Sequence, residues 1–560
     1  MTEKHLQDVS LYRKSSADEF QKQHRKLNRE WVKIAKTANL SPDVTSRLRN
    51  ELPVCPVLYL LVKTHKLQSS SDLASADPAT FKVRPIISSV GGSTDRIGWF
   101  LNTILVQLLR FIPAHSTNTQ MFLERLRNTR VSNSCIMESF DVNALYTNVS
   151  NEAAMQAISE LLLENERNIN LHGLSTSQVM VLLKACLECN VFKWSGNYFA
   201  QIRGLAMGQR LVPTLAIAFM ARVEAPVLEC RPLLYCRYID DCFIICATQA
   251  EIDKCFELLN GQSEHIRLSR ERPTGEWLPF LNVQIEISSG THQTKWYRKA
   301  SNKNILVHIR SAHPRETKKA VIKNMFRTAS QVCSGPEEKG ESLALARKIA
   351  TSNGYVDSAA QNRLRRKTHS RETELATADK IPFCIPFISD EVSAAIRQRL
   401  RRSSLDSIVS VVEIPPSNLK RILVRNGMYD RACTVPDCSI CPTGRTGECM
   451  SSGVIYLISC MDCGDEYIGE TARPLRVRIK EHLDGRDRSR PSTPLGIHRL
   501  QKHAGESFEV SVKILAHESQ TSARKTLEAF WTHAKSPEMN RKEECLSITR
   551  ELAPYLGQLF

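Results

Sequence analysis

The 560-residue chain contains no run of about 18 uncharged apolar residues, the length a membrane-spanning helix needs. Its nearest approach, Val212 to Cys230, is broken by Arg222 and Glu224, so no membrane partner is expected. The opening stretch, Met1 to Arg13, is polar and has no apolar centre, so no secretory signal is expected there. The 18 cysteines are nowhere dense enough for a small disulfide scaffold. They are expected to be reduced, as in cytosol or nucleus, with a few on metal. No internal repeat and no long low-complexity segment occurs. Negative charge is in deficit: 59 acidic residues face 76 Lys and Arg, a net charge of +17. That balance favours a polyanionic partner, nucleic acid before anionic membrane. An apolar share of 42% with 24% charged residues excludes wholesale disorder. The length allows about three to five folding units.

Residues 1–50 are polar and helical in pattern. From Leu52 to about Ile287, short β-rich runs (Val83–Ser89, Cys135–Phe140, Leu233–Tyr238, Cys242–Cys246) alternate with helical stretches, including residues 152–188. This predicts an α+β or α/β domain. His313 to about Ala360 reads as helical and basic, and residues 361–380 as a charged linker. A strand–helix–strand unit is predicted over Ile381–Ile388, Asp390–Arg402 and Ile408–Ile414. Cysteines then cluster between Cys433 and Cys463, and a last module runs from Gly453 to about Asn540.

Tyr238-Ile239-Asp240-Asp241 lies between two β-rich runs and predicts a hairpin with two carboxylates at its tip. Taken alone, such a tip is as well read as a polar turn. Asp141 ends another apolar run, where an acid also serves as a helix N-cap. On a neighbouring strand it would complete a three-carboxylate site for two divalent cations, the arrangement that serves phosphoryl transfer.

The ordered set Phe140-Asp141, Gly204-Leu205-Ala206-Met207-Gly208, Tyr238-Ile239-Asp240-Asp241 and Leu278-Pro279-Phe280-Leu281-Asn282-Val283 resembles the palm of reverse transcriptases, specifically those of Penelope-like retroelements. Lys63-Thr64-His65-Lys66 and Arg84-Pro85-Ile86-Ile87-Ser88-Ser89 resemble the fingers motifs of that family. Tyr297-Arg298-Lys299 and His313-Pro314 resemble the segment after the palm. The resemblance covers roughly residues 50–330. It implies that Asp141, Asp240 and Asp241 hold Mg²⁺ or Mn²⁺. It implies that Lys63, Lys66 and Arg84 meet template or triphosphate, and that Gly204, Met207, Gly208 and Tyr238 shape the nucleotide pocket. The family usually has Met-Gly-Ser-Pro-Leu-Ser-Pro where this chain has Met207-Gly208-Gln209-Arg210-Leu211-Val212-Pro213. Bulky Gln209 and Arg210 are expected to crowd that pocket, which leaves a nuclease without polymerase activity as an alternative, and a non-catalytic nucleic-acid-binding remnant as another.

Tyr456 and Tyr467 fall on two β-rich runs. Arg478 and His482 sit four apart on a following helix, so they share a face. Glu528 lies on a later helical stretch and Asn540 follows. Together these resemble a GIY-YIG nuclease domain over roughly 453–545, which Penelope-like elements carry after their reverse transcriptase. The resemblance implies one divalent cation on Glu528, a tyrosine positioning the attacking water, and Arg478 stabilising charge on the phosphate. It implies that His482 assists proton transfer or orients a tyrosine, and that Asn540 is structural or orients substrate. Cys438-x₂-Cys441 and Cys460-x₂-Cys463 have zinc-ligand spacing, with Cys433 and Cys449 as further candidates.

The expected architecture is therefore multidomain α+β: a right-hand reverse transcriptase followed by a small α/β GIY-YIG nuclease. The division runs 1–50 (helical segment), 51–300 (fingers and palm), 301–380 (basic thumb and linker), 381–432 (connector), 433–452 (cysteine-rich linker), 453–545 (nuclease) and 546–560 (tail). The implied partners are an RNA template, target DNA and deoxynucleoside triphosphates. The role implies nuclear location, with Arg363 to Lys367 as a weak import signal.

Overall fold

The β-rich runs of the sequence become strands, and their period of two decides which face of each sheet is buried. The computed structural model describes residues 2–51, 53–63, 83–355, 380–415, 433, 438–442, 447–518, 520–541 and 548. Lys66, the Arg363–Lys367 run and most of the 546–560 tail lie outside the described residues. The chain divides into two compact units, Met1–Asn418 and Leu419–Phe560. Among the described residues, no helix is long and apolar enough to cross a membrane.

In the first unit the strands are β1 (Tyr12–Ser15), β2 (Val57–Val62), β3 (Val83–Ser88), β4 (Ile136–Val142), β5 (Val191–Trp194), β6 (Asn197–Gln201), β7 (Leu234–Tyr238), β8 (Asp241–Cys246), β9 (Leu268–Glu271), β10 (Leu278–Phe280), β11 (Val283–Ser288), β12 (Thr291–Trp296), β13 (Ile381–Pro386) and β14 (Val409–Ile414). Five form one sheet in the order β1-β6-β5-β2-β3, and four form another in the order β7-β8-β4-β9. The expectation of a wholly helical first 50 residues fails at β1, which pairs with β6 from Tyr12↔Gln201 to Ser15↔Tyr198. Burial of the Tyr12 ring with Leu58, Ile87 and Phe192 outweighs the polar pattern around it. No structural break falls at residue 50 either. The Ala17–Thr37 helix, capped by the Ser16 side chain, sends a fully buried Trp31 into the main core.

Alternation along β8 builds the palm. Cys242, Ile244 and Cys246 face a core shared with the helices Asn151–Asn165, Thr176–Glu188 and Val212–Glu229. Phe243 and Ile245 face the other way, onto β10–β12 and the helices Arg315–Gln331 and Pro336–Ser352. A sheet buried on both faces holds its strand ends in fixed register. The two later helices are tied to β12: the Thr294 hydroxyl donates to Val332 O at 2.7 Å, and Trp296 N–H donates to Ser342 Oγ at 3.1 Å. The predicted strand–helix–strand unit is present: β13 and β14 pair in parallel from Ile381↔Val409, with the Asp390–Arg402 helix between them.

The second unit is a three-stranded antiparallel sheet of β15 (Val454–Cys460), β16 (Glu466–Thr471) and β17 (Val510–His517), in the order β16-β15-β17. Tyr456, Ile458 and Tyr467 pack on one face with Leu475, Ile479 and Leu495. Ile455, Leu457 and Ile468 pack on the other with Leu527 and Trp531. The outer N–H groups of edge strand β16 are taken by side chains. Glu466 N–H donates to Glu538 at 3.0 Å, Ile468 N–H to Asn540 Oδ1 at 2.8 Å, and Glu470 N–H to the Glu528 carboxylate.

Candidate functional site

The β4–β8 register sets Asp141 directly opposite Asp241. A two-residue turn, Ile239–Asp240, joins β7 to β8 across the Tyr238↔Asp241 pair and places Asp240 beside both. Its carbonyl is held by Val142 N–H at 3.1 Å. Three carboxylates thus converge at one end of the palm sheet, and the protonation of Asp240 and Asp241 reports it. Burial raises the Asp240 pKa, and Asp141 adds to the rise. Burial, then Asp240 and Asp141, push Asp241 up to about 6. Arg84 and Lys63 stabilise the charged form of Asp240, and Lys299 that of Asp241. Buried carboxylates crowded to this degree suit a divalent cation, which offsets the burial and repulsion that raise Asp240 and Asp241.

The glycine loop connects this site to β3, which carries Arg84. Gly204 has φ +84, and a Cβ there would lie 2.7 Å from Thr147 O and 2.8 Å from Tyr146 O. Gly208 has φ +127, and its Cβ would overlap the Ile87 carbonyl. No other residue fits either position without moving backbone. Between them, Met207 O accepts from Ile87 N–H at 2.7 Å, and Leu205 N–H donates to Tyr146 O at 2.6 Å. Arg210, expected to crowd the pocket, instead pairs with Asp95 at 2.8 Å, the residue that opens the Asp95–Leu105 helix.

In the second unit, the Tyr456 hydroxyl lies 2.8 Å from His482 Nε2 and receives Arg478 Nε–H at 3.3 Å. Because a guanidinium can only donate, the phenol O–H is free to donate to His482, whose Nε2 then carries no proton. Burial, reinforced by Arg478, lowers the His482 pKa to about 4 and keeps the ring neutral. Burial also raises the Tyr456 pKa, against the pull of Arg478. The Tyr467 ring stacks at a tilt on His482, with centroids 5.0 Å apart. Gly469 makes this packing fit, since a Cβ there would lie 2.6 Å from the Tyr456 oxygen. Glu528 is pushed to about 7 by burial and by Glu470, while Lys525 and Arg478 pull it down. Glu470 is itself paired with the buried Arg524 at 2.5 Å. Asn540 does not face this group as a substrate contact. Its amide accepts from Ile468 N–H at 2.8 Å and donates to Ile468 O at 2.7 Å, pairing like a strand.

The four zinc-spaced cysteines do not form one set. Cys438 and Cys441 join Cys433 and Cys449, whereas Cys460 and Cys463 join His498 and His503. In each group the ligand atoms lie within 4.8 Å of one another. Cys433 and Cys449 sulfurs are 3.6 Å apart, close to the roughly 3.8 Å edge of a zinc–thiolate tetrahedron. In the second group, His498 Nε2 is 3.3 Å from Cys463 Sγ, and His503 Nε2 is 3.4 Å from Cys460 Sγ. Asp465 stands 3.6 Å from His498 Nδ1, where a carboxylate orients a ligating imidazole. Both donor sets suit zinc.

Residues 91–269 match the family described as reverse transcriptase (RNA-dependent DNA polymerase). The chain carries a reverse-transcriptase domain. Residues 305–365 match the animal helix-turn-helix domain, and the described part of the stretch expected as a basic thumb carries the helices Arg315–Gln331 and Pro336–Ser352. No curated protein matches. Among solved structures, telomerase from Candida albicans in complex with a fragment of telomeric RNA is 12% identical over 61% of this chain and 62% of that one, with a TM-score of 0.39. Apo telomerase from Candida tropicalis, truncated of its C-terminal domain, is 15% identical over 38% of this chain and 52% of that one, with a TM-score of 0.30. The chain thus spans about half to three fifths of these telomerase chains.

The reverse-transcriptase domain contains Asp141, Asp240 and Asp241 together with Gly204, Met207 and Gly208. Arg84 and Lys63 precede the matched span but act on Asp240 within it. Two further residues belong to this group. Tyr146, on the short helix after Asp141, lies near Asp240 and Arg84. Lys299 lies near Asp241. Tyr146 is five positions after Asp141, a spacing that the sequence displays. Lys299 lies in Tyr297-Arg298-Lys299, which the sequence marks only as a segment after the palm; the fold of β10–β12 returns it to Asp241.

Proposed function

We propose that this protein is an RNA-directed DNA polymerase of the Penelope-like retroelement kind, whose second unit nicks target DNA. The nick would free a 3′-hydroxyl, and the palm would extend it along an RNA template. The observation that carries this reading is the opposition of Asp141 and Asp241 with Asp240 at the adjoining turn, faced by Arg84 and Lys63. Divalent cations on the three carboxylates would activate the 3′-hydroxyl and shield the leaving pyrophosphate. Arg84 and Lys63 would take up triphosphate charge. Gly204 and Gly208 keep side-chain bulk away from the backbone that forms the pocket wall. The net charge of +17 suits a protein that grips template and primer backbones.

In the second unit, Glu528 would hold one divalent cation. Arg478 would stabilise charge on the scissile phosphate, as fixed donors do in a partly buried site. Tyr456 would position the attacking water, its O–H directed to neutral His482. Tyr467 would fix the His482 ring. The two cysteine-containing clusters would bind zinc and brace the entry to this unit. The role places the protein in the nucleus.

Primer extension on a primed RNA template with Mg²⁺ or Mn²⁺, beside Asp240→Ala, tests the polymerase. Extension by the parent and its loss in the variant are expected. No extension by folded, template-binding parent would reject the polymerase. Nicking of supercoiled DNA, beside Glu528→Ala, tests the nuclease separately. Nicking without extension would leave the reading of a nuclease with an inactive palm.

A further inference from the structure

Arg237 ends inside the palm with no solvent contact, and its carboxylate partner among the described residues, Glu224, is equally buried. A buried ion pair gives little net stability over apolar residues of the same volume, so its retention calls for a task. The guanidinium fork is shared between two elements. Nε donates to Glu224 Oε2 at 2.6 Å, and Nη2 donates to Glu224 Oε1 and Ile217 O, both at 3.0 Å. These acceptors lie on the Val212–Glu229 helix. Nη1 reaches the other way and donates to Ile239 O at 3.1 Å. Ile239 is the first residue of the turn, at φ +56, a conformation unfavourable for a β-branched side chain. Its carbonyl belongs to the peptide immediately before Asp240.

We infer that Arg237 is a positioning residue: it locks the left-handed Ile239 against the Val212–Glu229 helix and so fixes where Asp240 presents its carboxylate. The inference rests on the polymerase reading only for the cation that Asp240 would bind. The rest of the fork's surroundings supports it. Arg237 N–H donates to Ala114 O and Ser116 N–H donates to Arg237 O, both at 2.8 Å, so the backbone under the fork is fixed too. His115 alongside is held neutral, its pKa lowered to about 4 by burial and then by Arg237, so it adds no second positive charge beside the fork. Lysine in this place would keep the charge but not the fork, since an ammonium cannot span helix and turn in one plane.

The test uses the full chain, with Arg237→Lys and the milder Glu224→Gln. The first measurement needs no metal: amide exchange at Val142, whose N–H is bonded to Asp240 O. Arg237→Lys is expected to speed exchange at Val142 at least tenfold while amides earlier in β4 keep their protection. Glu224→Gln is expected to act in the same direction and less, and it decides the matter if the lysine variant does not fold. The second measurement is Mn²⁺ titration read by paramagnetic resonance, with Asp240→Ala marking the palm site. An affinity loss of about tenfold is expected in Arg237→Lys, with kcat for extension lowered and KM for nucleotide unchanged. Unchanged Val142 exchange in a folded variant overturns the inference. So does parental Mn²⁺ affinity, or a loss of protection spread evenly over the sheet. A parent whose Mn²⁺ binding ignores Asp240→Ala rejects the polymerase reading instead, and Val142 exchange still decides whether Arg237 holds the turn.

Discussion

Replacing Asp241 by Asn should stabilise the metal-free protein at neutral pH. The Asp241 pKa rises from 3.8 to about 6 through burial and the charges of Asp240 and Asp141. The folded chain therefore holds this proton more tightly than the unfolded one. Its contribution is present in full below about pH 4, declines as pH rises, and is gone above the folded pKa near 6. At roughly 1.4 kcal/mol per pH unit, the carboxylate costs at most about 3 kcal/mol at pH 7.5. Partial solvent contact reduces this to about 1–3 kcal/mol. Asparagine keeps the shape without the charge and should recover that amount in EDTA. The gain should vanish at pH 4, where the parent residue is itself neutral when folded. The two units need not unfold together, so local opening of β4 and β8 by hydrogen exchange is the appropriate assay. Saturating Mg²⁺ should reverse the ranking, since the parent alone keeps the full ligand set. Destabilisation by Asn in EDTA at pH 7.5, or a gain that persists at pH 4, would refute the reasoning.

Three other outcomes follow from the geometry. Arg478→Ala should lower nicking about 10²–10³-fold, as removal of a fixed charge-stabilising donor does, with little change in DNA affinity; equal losses in both on a binding and single-turnover assay would count against a transition-state role. Gly469→Ala should destabilise the second unit by about 1–3 kcal/mol, because the new methyl meets the Tyr456 oxygen at 2.6 Å in a packed core; a thermal melt of that unit unchanged from the parent would show that the ring can yield. Cys449→Ser and Cys463→Ser should each reduce bound zinc from two equivalents to one by atomic absorption, and the double variant should bind none; a total of one equivalent in the parent would mean that only one cluster is a zinc site.

The palm was legible in the sequence because its acids stand at the ends of short apolar runs, the pattern of strands buried on both faces. Once Cys242, Ile244 and Cys246 must face one core and Phe243 and Ile245 another, the position of Asp241 follows, and strand pairing brings Asp141 to it. Tyr456, Arg478, His482 and Glu528 were found as a pattern, and the fold joins Tyr456 to His482 and Arg478 with Glu528 near enough to act on Tyr456. Other features were hidden for physical reasons. The partners of Cys460 and Cys463 lie on and just after the Pro494–Lys502 helix, and His498 and His503 at that distance look like ordinary surface histidines. Both x₂ pairs stay together, but such spacing shows which two residues share a turn and not which turns meet, so the other ligands of each pair were not legible. Tyr12–Ser15 is too short and too polar to announce a strand, and only the exposed edge of β6 makes it one. Arg237 looks like a solvated charge until Glu224 is found buried beside it.

Asn540 illustrates how a residue can matter to a site without touching its chemistry. An edge strand with free N–H groups invites pairing with another chain. Here the outer N–H groups of Glu466, Ile468 and Glu470 are covered by Glu538, Asn540 and Glu528 in turn. Two of these three side chains close the edge and do nothing else visible. The third, Glu528, closes it with one hydrogen bond and remains near Tyr456 and Arg478. Buried Arg524, one helical turn before Glu528, pairs with Glu470 and fixes the Thr521–Lys535 helix at that edge. Glu528 is thereby aimed from two directions, by the strand it caps and by the helix it stands on. The requirement that an edge be closed and the requirement that a carboxylate be placed are met by the same contacts, so Asn540, read from sequence as structural or substrate-orienting, serves the strand, while Glu528 both closes it and is held in place.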